Sequence, residues 1–309
     1  EKEGMRRTTL LLCFISFLCF GYCSDKWASP PPLSPNEIFN DQKIPRFTGC
    51  FPPEEPSNPP LEPHPLSFPL SAVSLSSFPF EIPSSLPSPS LSLSPFVLVN
   101  CTSNLNIQTA TEKENLLQSH GDSVVILSSA NTFSHDKRKA TLSTYFSEMK
   151  TETKEVEEEG CSPPEKEKRK ERESAREKWY FFGDNNHNEW DDVFSLYEAP
   201  PMFGAPYSTG ISFGIGEDGS GVPFHIHGPV FAEVFHGQKR WFLAPPEEKI
   251  SFDPDITSSD WVKDIYPSLR GKEYPLDIVL GPNEILFIPD QWWHATLNRG
   301  DTVFLSVFL

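Results

Sequence analysis

Three histidines are the residues whose type and spacing best suit chemistry: His225 and His227, separated by Ile226, and His294 further along. Residues two apart on a β-strand share a face. His225 and His227 are therefore expected to point at one centre, to which a later strand brings His294. Non-haem iron is commonly held by two histidines and one carboxylate on a single octahedral face. Here His227 stands where that carboxylate would be. A neutral imidazole in its place leaves more positive charge on a bound metal. Three imidazoles also suit zinc with a water in fourth position, or copper or nickel by donor softness.

Each of these residues has a plainer reading. A lone histidine is more often a hydrogen-bonded core or surface residue than a ligand. The close pair plus a third in a matching position favours a metal. Glu233 stands as a substitute carboxylate if its strand turns it inward. Asp290 either orients a ligating histidine or is an ordinary loop carboxylate. Trp292 and Trp293 read as packing residues, and His236, beside Gly237, reads as exposed.

The elements that must position these groups are short strands separated by turns between Trp179 and Leu309. Strands are expected at Ile211–Ile215, Phe224–His227, Phe231–His236, Arg240–Leu243, Leu276–Leu280, Ile285–Ile288, His294–Leu297 and Val303–Phe308. Many short strands with Gly and Pro punctuation indicate a mainly β fold, a sandwich or jelly roll. Ahead of them, residues 95–149 read as a small α/β part. It holds strands at Pro95–Val99 and Val124–Leu127, and a helix opened by a capping box at Thr111–Glu114 and closed by Gly121. A second helix, Leu142–Met149, has Thr141 as its cap. Residues 150–178 are a charged surface insertion.

The first 24 residues read as a secretory signal. Met5-Arg6-Arg7 is the basic region, Leu10 to Phe20 the apolar one, and Gly21, Cys23 and Ser24 offer a cleavage site. Glu1 to Gly4 precede the first methionine. The alternative, an uncleaved membrane anchor, usually carries a longer apolar run, so no stable span is expected after cleavage. Residues 25–94 are a Pro/Ser-rich linker with no sustained period. A second reading treats residues 51–94 as translated intron, because pyrimidine-rich codons encode Phe, Leu, Ser and Pro. Loss of the signal leaves Cys50, Cys101 and Cys161, enough for one disulfide and a spare thiol. Asn100-Cys101-Thr102 is an N-glycosylation sequon on the secretory route. The net charge of −17 and pI near 4.9 argue against nucleic acid as partner. The remaining expectation is protein partners or a protein substrate, in the endoplasmic reticulum lumen or the secretory pathway.

The stretches Gly221 to Pro229, Val234 to Pro246 and Gly281 to Pro289, with Trp292-Trp293-His294, together resemble the jumonji-C branch of the cupin superfamily. Tyr180 to Asn186 adds a likeness to a secretory-pathway member of that branch. The resemblance covers 179–309 and, more faintly, 95–149. It implies a double-stranded β-helix, the cupin jelly roll. It places His225 and His294 at the two iron-binding histidine positions, with His227 departing from the carboxylate. It also assigns Lys239, in the Gly-x-Lys-Arg turn, to the distal carboxylate of 2-oxoglutarate, against the alternative of a surface lysine on a hairpin. Three functions are carried forward, two of them from the likeness. One is a binding or regulatory protein with a degenerate His-x-His metal site. Another is an Fe(II)/2-oxoglutarate-dependent protein hydroxylase. The third, resting on ligand type alone, is a zinc-dependent cupin.

Overall fold

A computed structural model describes residues 26–33, 43–50, 94–129, 136–149, 178–183, 185, 188–203 and 210–309. The expected signal region, residues 51–93 of the Pro/Ser-rich tract and residues 150–177 of the charged insertion, with Cys161, lie outside the described residues.

Two long strands, β8 (Val230–Ala244) and β11 (Trp293–Phe308), run antiparallel for most of their length and frame the molecule. Each replaces two strands expected from the sequence, because each carries its ladder through a bend instead of breaking at a turn. The bend lies at Gly237 and opposite it, where the register slips between Arg299 and Val303. Gly237 has φ +71°, and a Cβ there would lie 2.2 Å from the Asp301 carbonyl oxygen, so only glycine fits.

Beyond the bend each long strand changes partner. The first half of β8 pairs with β10 (Glu284–Ile288) and its second half with β9 (Leu276–Leu280). β11 pairs first with β7 (Gly221–His225), then with β6 (Ile211–Gly216). The larger sheet continues from β10 to β2 (Phe96–Val99) and β1 (Arg46–Thr48). On its other side it continues from β6 to β5 (Tyr180–Phe182), β3 (Val124–Ser128) and β4 (Lys137–Thr141). The strands expected at Pro95–Val99, Ile211–Ile215, Leu276–Leu280 and Ile285–Ile288 all form, each shifted by at most a residue at either end.

Side-chain alternation along these strands creates three apolar layers. Val230, Ala232, Val234, Trp241 and Leu243 face between the two sheets, together with Ile278, Leu286 and Phe304. Phe231 and Phe235 point the other way and meet the helices α1 (Leu105–Ala110), α2 (Lys113–His120), α3 (Leu142–Glu148) and α4 (Asp191–Phe194). Phe224, Phe242 and Ala295, on the outside of the smaller sheet, are covered by Trp261, Tyr266 and Leu269 from the helical segment 258–269. There Arg240 grips Asp277 with two bonds, Nε to Oδ1 at 2.9 Å and Nη2 to Oδ2 at 2.8 Å, and the Tyr266 hydroxyl donates to Oδ2 at 2.6 Å. A buried pair with this fork geometry satisfies both partners.

The helical part departs from expectation at one cap. α3 begins as the sequence predicts, with the Thr144 amide donating to Thr141 Oγ1 at 3.2 Å. The capping box at Thr111 does not form. The Thr111 hydroxyl donates to the Ile107 carbonyl at 2.7 Å and so finishes α1, a helix absent from the sequence reading, while α2 starts without a side-chain cap. Two pieces of the tract expected to lack regular structure are seated. Trp27 donates from Nε1 to the Thr111 carbonyl at 3.0 Å and meets Phe146 edge-on, while the Ala28 amide donates to Asp301 Oδ2 at 3.0 Å and the Ala28 carbonyl accepts from the Asp301 amide at 3.0 Å. Further on, β1 lies parallel to β2, and a Cys50–Cys101 disulfide follows both strands.

Glu233 faces the helical layer, fully buried, with Asn104 Nδ2 donating to Oε2 at 2.8 Å. Burial lifts its pKa from 4.5 to about 8, against the opposing pull of the nearby Tyr197 hydroxyl and the Asn104 amide. Between those two values the unfolded chain ionises Glu233 and the folded chain does not. The unfolded state then binds fewer protons, and stability falls as pH rises through the window. Glu233→Gln removes that loss. Melting temperatures of parent and variant should nearly coincide at about pH 5 and diverge, in the variant's favour, by about pH 8. A gap that does not change with pH would rule this out. Gly237→Ala should lower the free energy of unfolding by roughly 1–3 kcal/mol, read from a urea midpoint.

Candidate metal centre

His225 is the last residue of β7 and sits directly across the ladder from His294, near the start of β11. Their rings lie 4.1 Å apart between centroids. His227 arrives differently from the expected alternation, because the strand ends before it. It lies in the following turn, which folds back over the centre. The Gln291 amide donates to the His227 carbonyl at 3.0 Å and holds the turn there, with Gln291 itself at φ +60°. A ring nitrogen from each of the three histidines lies within 4.8 Å of the other two.

Main-chain carbonyls set the direction of every ring. His225 Nδ1 lies 2.8 Å from the Pro223 carbonyl, His227 Nδ1 2.7 Å from that of Gly228, and His294 Nδ1 2.8 Å from that of Trp292. A carbonyl only accepts, so each Nδ1 carries the proton and each Nε2 is left as a lone pair. The Nε2 atoms of His227 and His294 face each other at 2.9 Å. Two lone pairs at that distance need a proton or a cation between them. Burial argues against the proton. It lowers the pKa of His225 to about 4, lowers that of His227 and depresses that of His294 strongly. Imidazole nitrogens about 2.1 Å from one ion lie about 3 Å apart when cis on an octahedron, and somewhat further apart on a tetrahedron. The donor types of all three residues, and the spacing of the His227–His294 pair, therefore fit a divalent transition metal, which His225, His227 and His294 would hold.

Lys239 is the other sequence-selected residue, and it does not lie on a surface hairpin. It sits in the middle of β8, pointing between the sheets, 1% exposed. Its ammonium donates to the Tyr180 hydroxyl at 2.8 Å and to Asn298 Oδ1 at 3.0 Å, and lies 3.8 Å from the centre of the Phe304 ring. Burial holds its pKa well below that of a free lysine. The adjacent Arg240, pointing outward, has a carboxylate. Among the described residues no carboxylate pairs with Lys239. Gly216 makes room for this arrangement, since a Cβ there would lie 2.2 Å from Asn298 Nδ2 and 2.5 Å from Ser220 Oγ.

The companions of Lys239 were not singled out from the sequence. Asn298 was findable, because His294, Thr296 and Asn298 alternate along β11 and share its inner face. Tyr180, from a distant strand, had no such signal. Other candidates do not reach the centre. Glu233 points to the opposite face of the larger sheet, so it does not replace the missing carboxylate. Asp290 is exposed and bonds Gln291, and the rings are oriented by backbone instead. His236 is half-buried rather than exposed, its Nε2 2.9 Å from the Gln108 carbonyl and 3.2 Å from Thr111 Oγ1. Trp292 packs between the sheets, and Trp293 leans on Phe252 outside the smaller one.

Comparison with known proteins agrees with this architecture. A family model described as a cupin-like domain matches residues 91–308. The chain is 42% identical over 217 residues to "JmjC domain-containing protein 8" of Rattus norvegicus, covering 70% of this chain and 75% of that protein. It is 39% identical over 215 residues to the Homo sapiens protein of the same name, with the same coverage. A more distant relative is the "2-oxoglutarate and iron-dependent oxygenase JMJD4" of Mus musculus, 23% identical over 155 residues, covering 41% of this chain and 34% of that protein. The ladder geometry, the inward-facing histidines and these matches agree: the chain belongs to the cupin-like jumonji-C family.

Proposed function

We propose that this chain is a metal-holding jumonji-C protein of the secretory route that acts by binding protein partners rather than by turning over 2-oxoglutarate. The observation that carries the metal is the set of three Nδ1–carbonyl bonds, which leaves each Nε2 unprotonated in a group whose ring nitrogens lie within 4.8 Å of one another. A bound ion would supply Lewis-acid character there and, for iron, redox chemistry. Two features favour binding over turnover. His227 replaces the anionic ligand, and the Lys239 ammonium is already bonded inside an aromatic interior. The secretory route is supported by the basic and apolar N-terminal segments and by the Cys50–Cys101 disulfide, since such bonds persist in oxidising compartments.

The hydroxylase remains as a second reading because Lys239 is a buried ammonium with no carboxylate partner among the described residues, and the anion of a co-substrate would provide one. The name of the Mus musculus relative points to that chemistry in that protein.

Purified protein reconstituted without oxygen, separately with Fe(II) and Zn(II), should retain near-stoichiometric metal, and His225→Ala and His294→Ala should each lose it. A parent protein that retains neither ion overturns the metal site. Incubation of the iron-loaded parent with 2-oxoglutarate should yield no succinate, and succinate formation would transfer the assignment to the hydroxylase. Lys239→Met separates the two readings without relying on activity. Removing an uncompensated buried charge should raise the melting temperature. If the hydroxylase reading holds, 2-oxoglutarate should stabilise the parent and not the variant.

A further inference from the structure

The sequon Asn100-Cys101-Thr102 sits at a place where the fold competes for its residues. Asn100 follows β2 immediately, is exposed, and adopts φ +54°. A sugar on its side chain would leave the surface without burying anything. The other groups of the sequon are engaged. The Asn100 amide donates to the Asn283 carbonyl at 2.9 Å, Cys101 is bonded to Cys50, and Thr102 Oγ1 accepts from Asn104 Nδ2 at 3.0 Å. The Cys50 side is fastened as well, since the Gly49 amide donates to the Val99 carbonyl at 2.9 Å alongside the parallel β1–β2 ladder. Enzymatic transfer needs this tripeptide as a mobile, accessible chain with its threonine hydroxyl available.

We infer that Asn100 is an N-glycan acceptor whose use competes with closure of the Cys50–Cys101 disulfide, so that the sugar is attached before that bond forms. This rests on the secretory route argued above. In the transfer, Asn100 Nδ2 bonds to the anomeric carbon of a lipid-diphosphate-linked oligosaccharide. The sugar–phosphate bond breaks, and the lipid diphosphate and the amide proton leave. In the competing step the two thiols give up two protons and two electrons to an oxidised dithiol protein of the compartment, which is reduced. Once the disulfide forms, β1 is locked beside β2 and the tripeptide is held at both flanks. Chains that close first stay unglycosylated.

The test expresses the full chain in secretory cells and reads glycosidase-sensitive mobility. The parent should show a mixture of unmodified and singly glycosylated chain, and Thr102→Ala should remove the modified form. Cys50→Ser leaves the sequon intact and should raise the glycosylated fraction. Thiol reductant present during synthesis should raise the parent to that same fraction and add nothing to Cys50→Ser. A glycosylated fraction equal in parent and Cys50→Ser overturns the competition. Asp255→Asn supplies the control, because it places an acceptor before Ile256 and Thr257 on an exposed loop away from the disulfide. If that site is modified while Asn100 is bare even in Cys50→Ser, the inference fails and the secretory reading stands. If neither is modified, the secretory reading fails, and the inference with it.

Discussion

The antiparallel ladder between β8 and β11 is the constraint on which everything else depends. Because it continues through its bend, two strands supply the centre of both sheets. Whatever they point inward is enclosed between those sheets. On β11 these residues include His294, Thr296 and Asn298; on β8 they include Lys239, Trp241 and Leu243. The metal-ligand candidates and the buried lysine are therefore products of one register. A slip of a single residue would turn all of them outward together. The glycine at the bend is part of the same constraint, since Gly237 allows the two strands to approach where a side chain would force them apart.

Alternation also explains why neighbouring residues of like charge have opposite circumstances. Arg240 faces out and finds Asp277 and Tyr266 in a fully bonded cluster. Lys239 faces in and, among the described residues, meets a phenol, an amide and the face of Phe304. Glu233 shows the same on the other long-strand half. It is a carboxylate sent to the helical layer, where burial makes it a weak acid rather than a ligand. Charge in this protein is sorted by strand face before it is matched to partners.

Much of this was legible in the sequence. Short strands at even spacing gave the fold class, and the motif residues around His225, Lys239 and His294 located the interior. What could not be read was continuity. Gly237 and Gly300 look like turn residues, and only tertiary pairing shows that both strands run on past them while the register shifts. Alternation gave the right grouping of His225 with His227 for the wrong reason, since His227 reaches the centre by a turn pinned at Gln291. The Thr111 capping box failed because the same threonine serves the preceding helix, a competition between local motifs that tertiary contacts decide. Tyr180 and Trp27 were invisible as partners because their contacts span distant parts of the chain.

The three Nδ1–carbonyl bonds carry a consequence for how this site can change over evolutionary time. In many metal sites the ring orientations depend on neighbouring carboxylates, whose replacement tunes or abolishes the centre. Here the anchors are peptide carbonyls of Pro223, Gly228 and Trp292, which persist whatever side chain occupies those positions. The imidazole directions are thereby buffered against drift in the surrounding sequence. Loss or change of the centre has to come through the histidines themselves or through the backbone path that carries them.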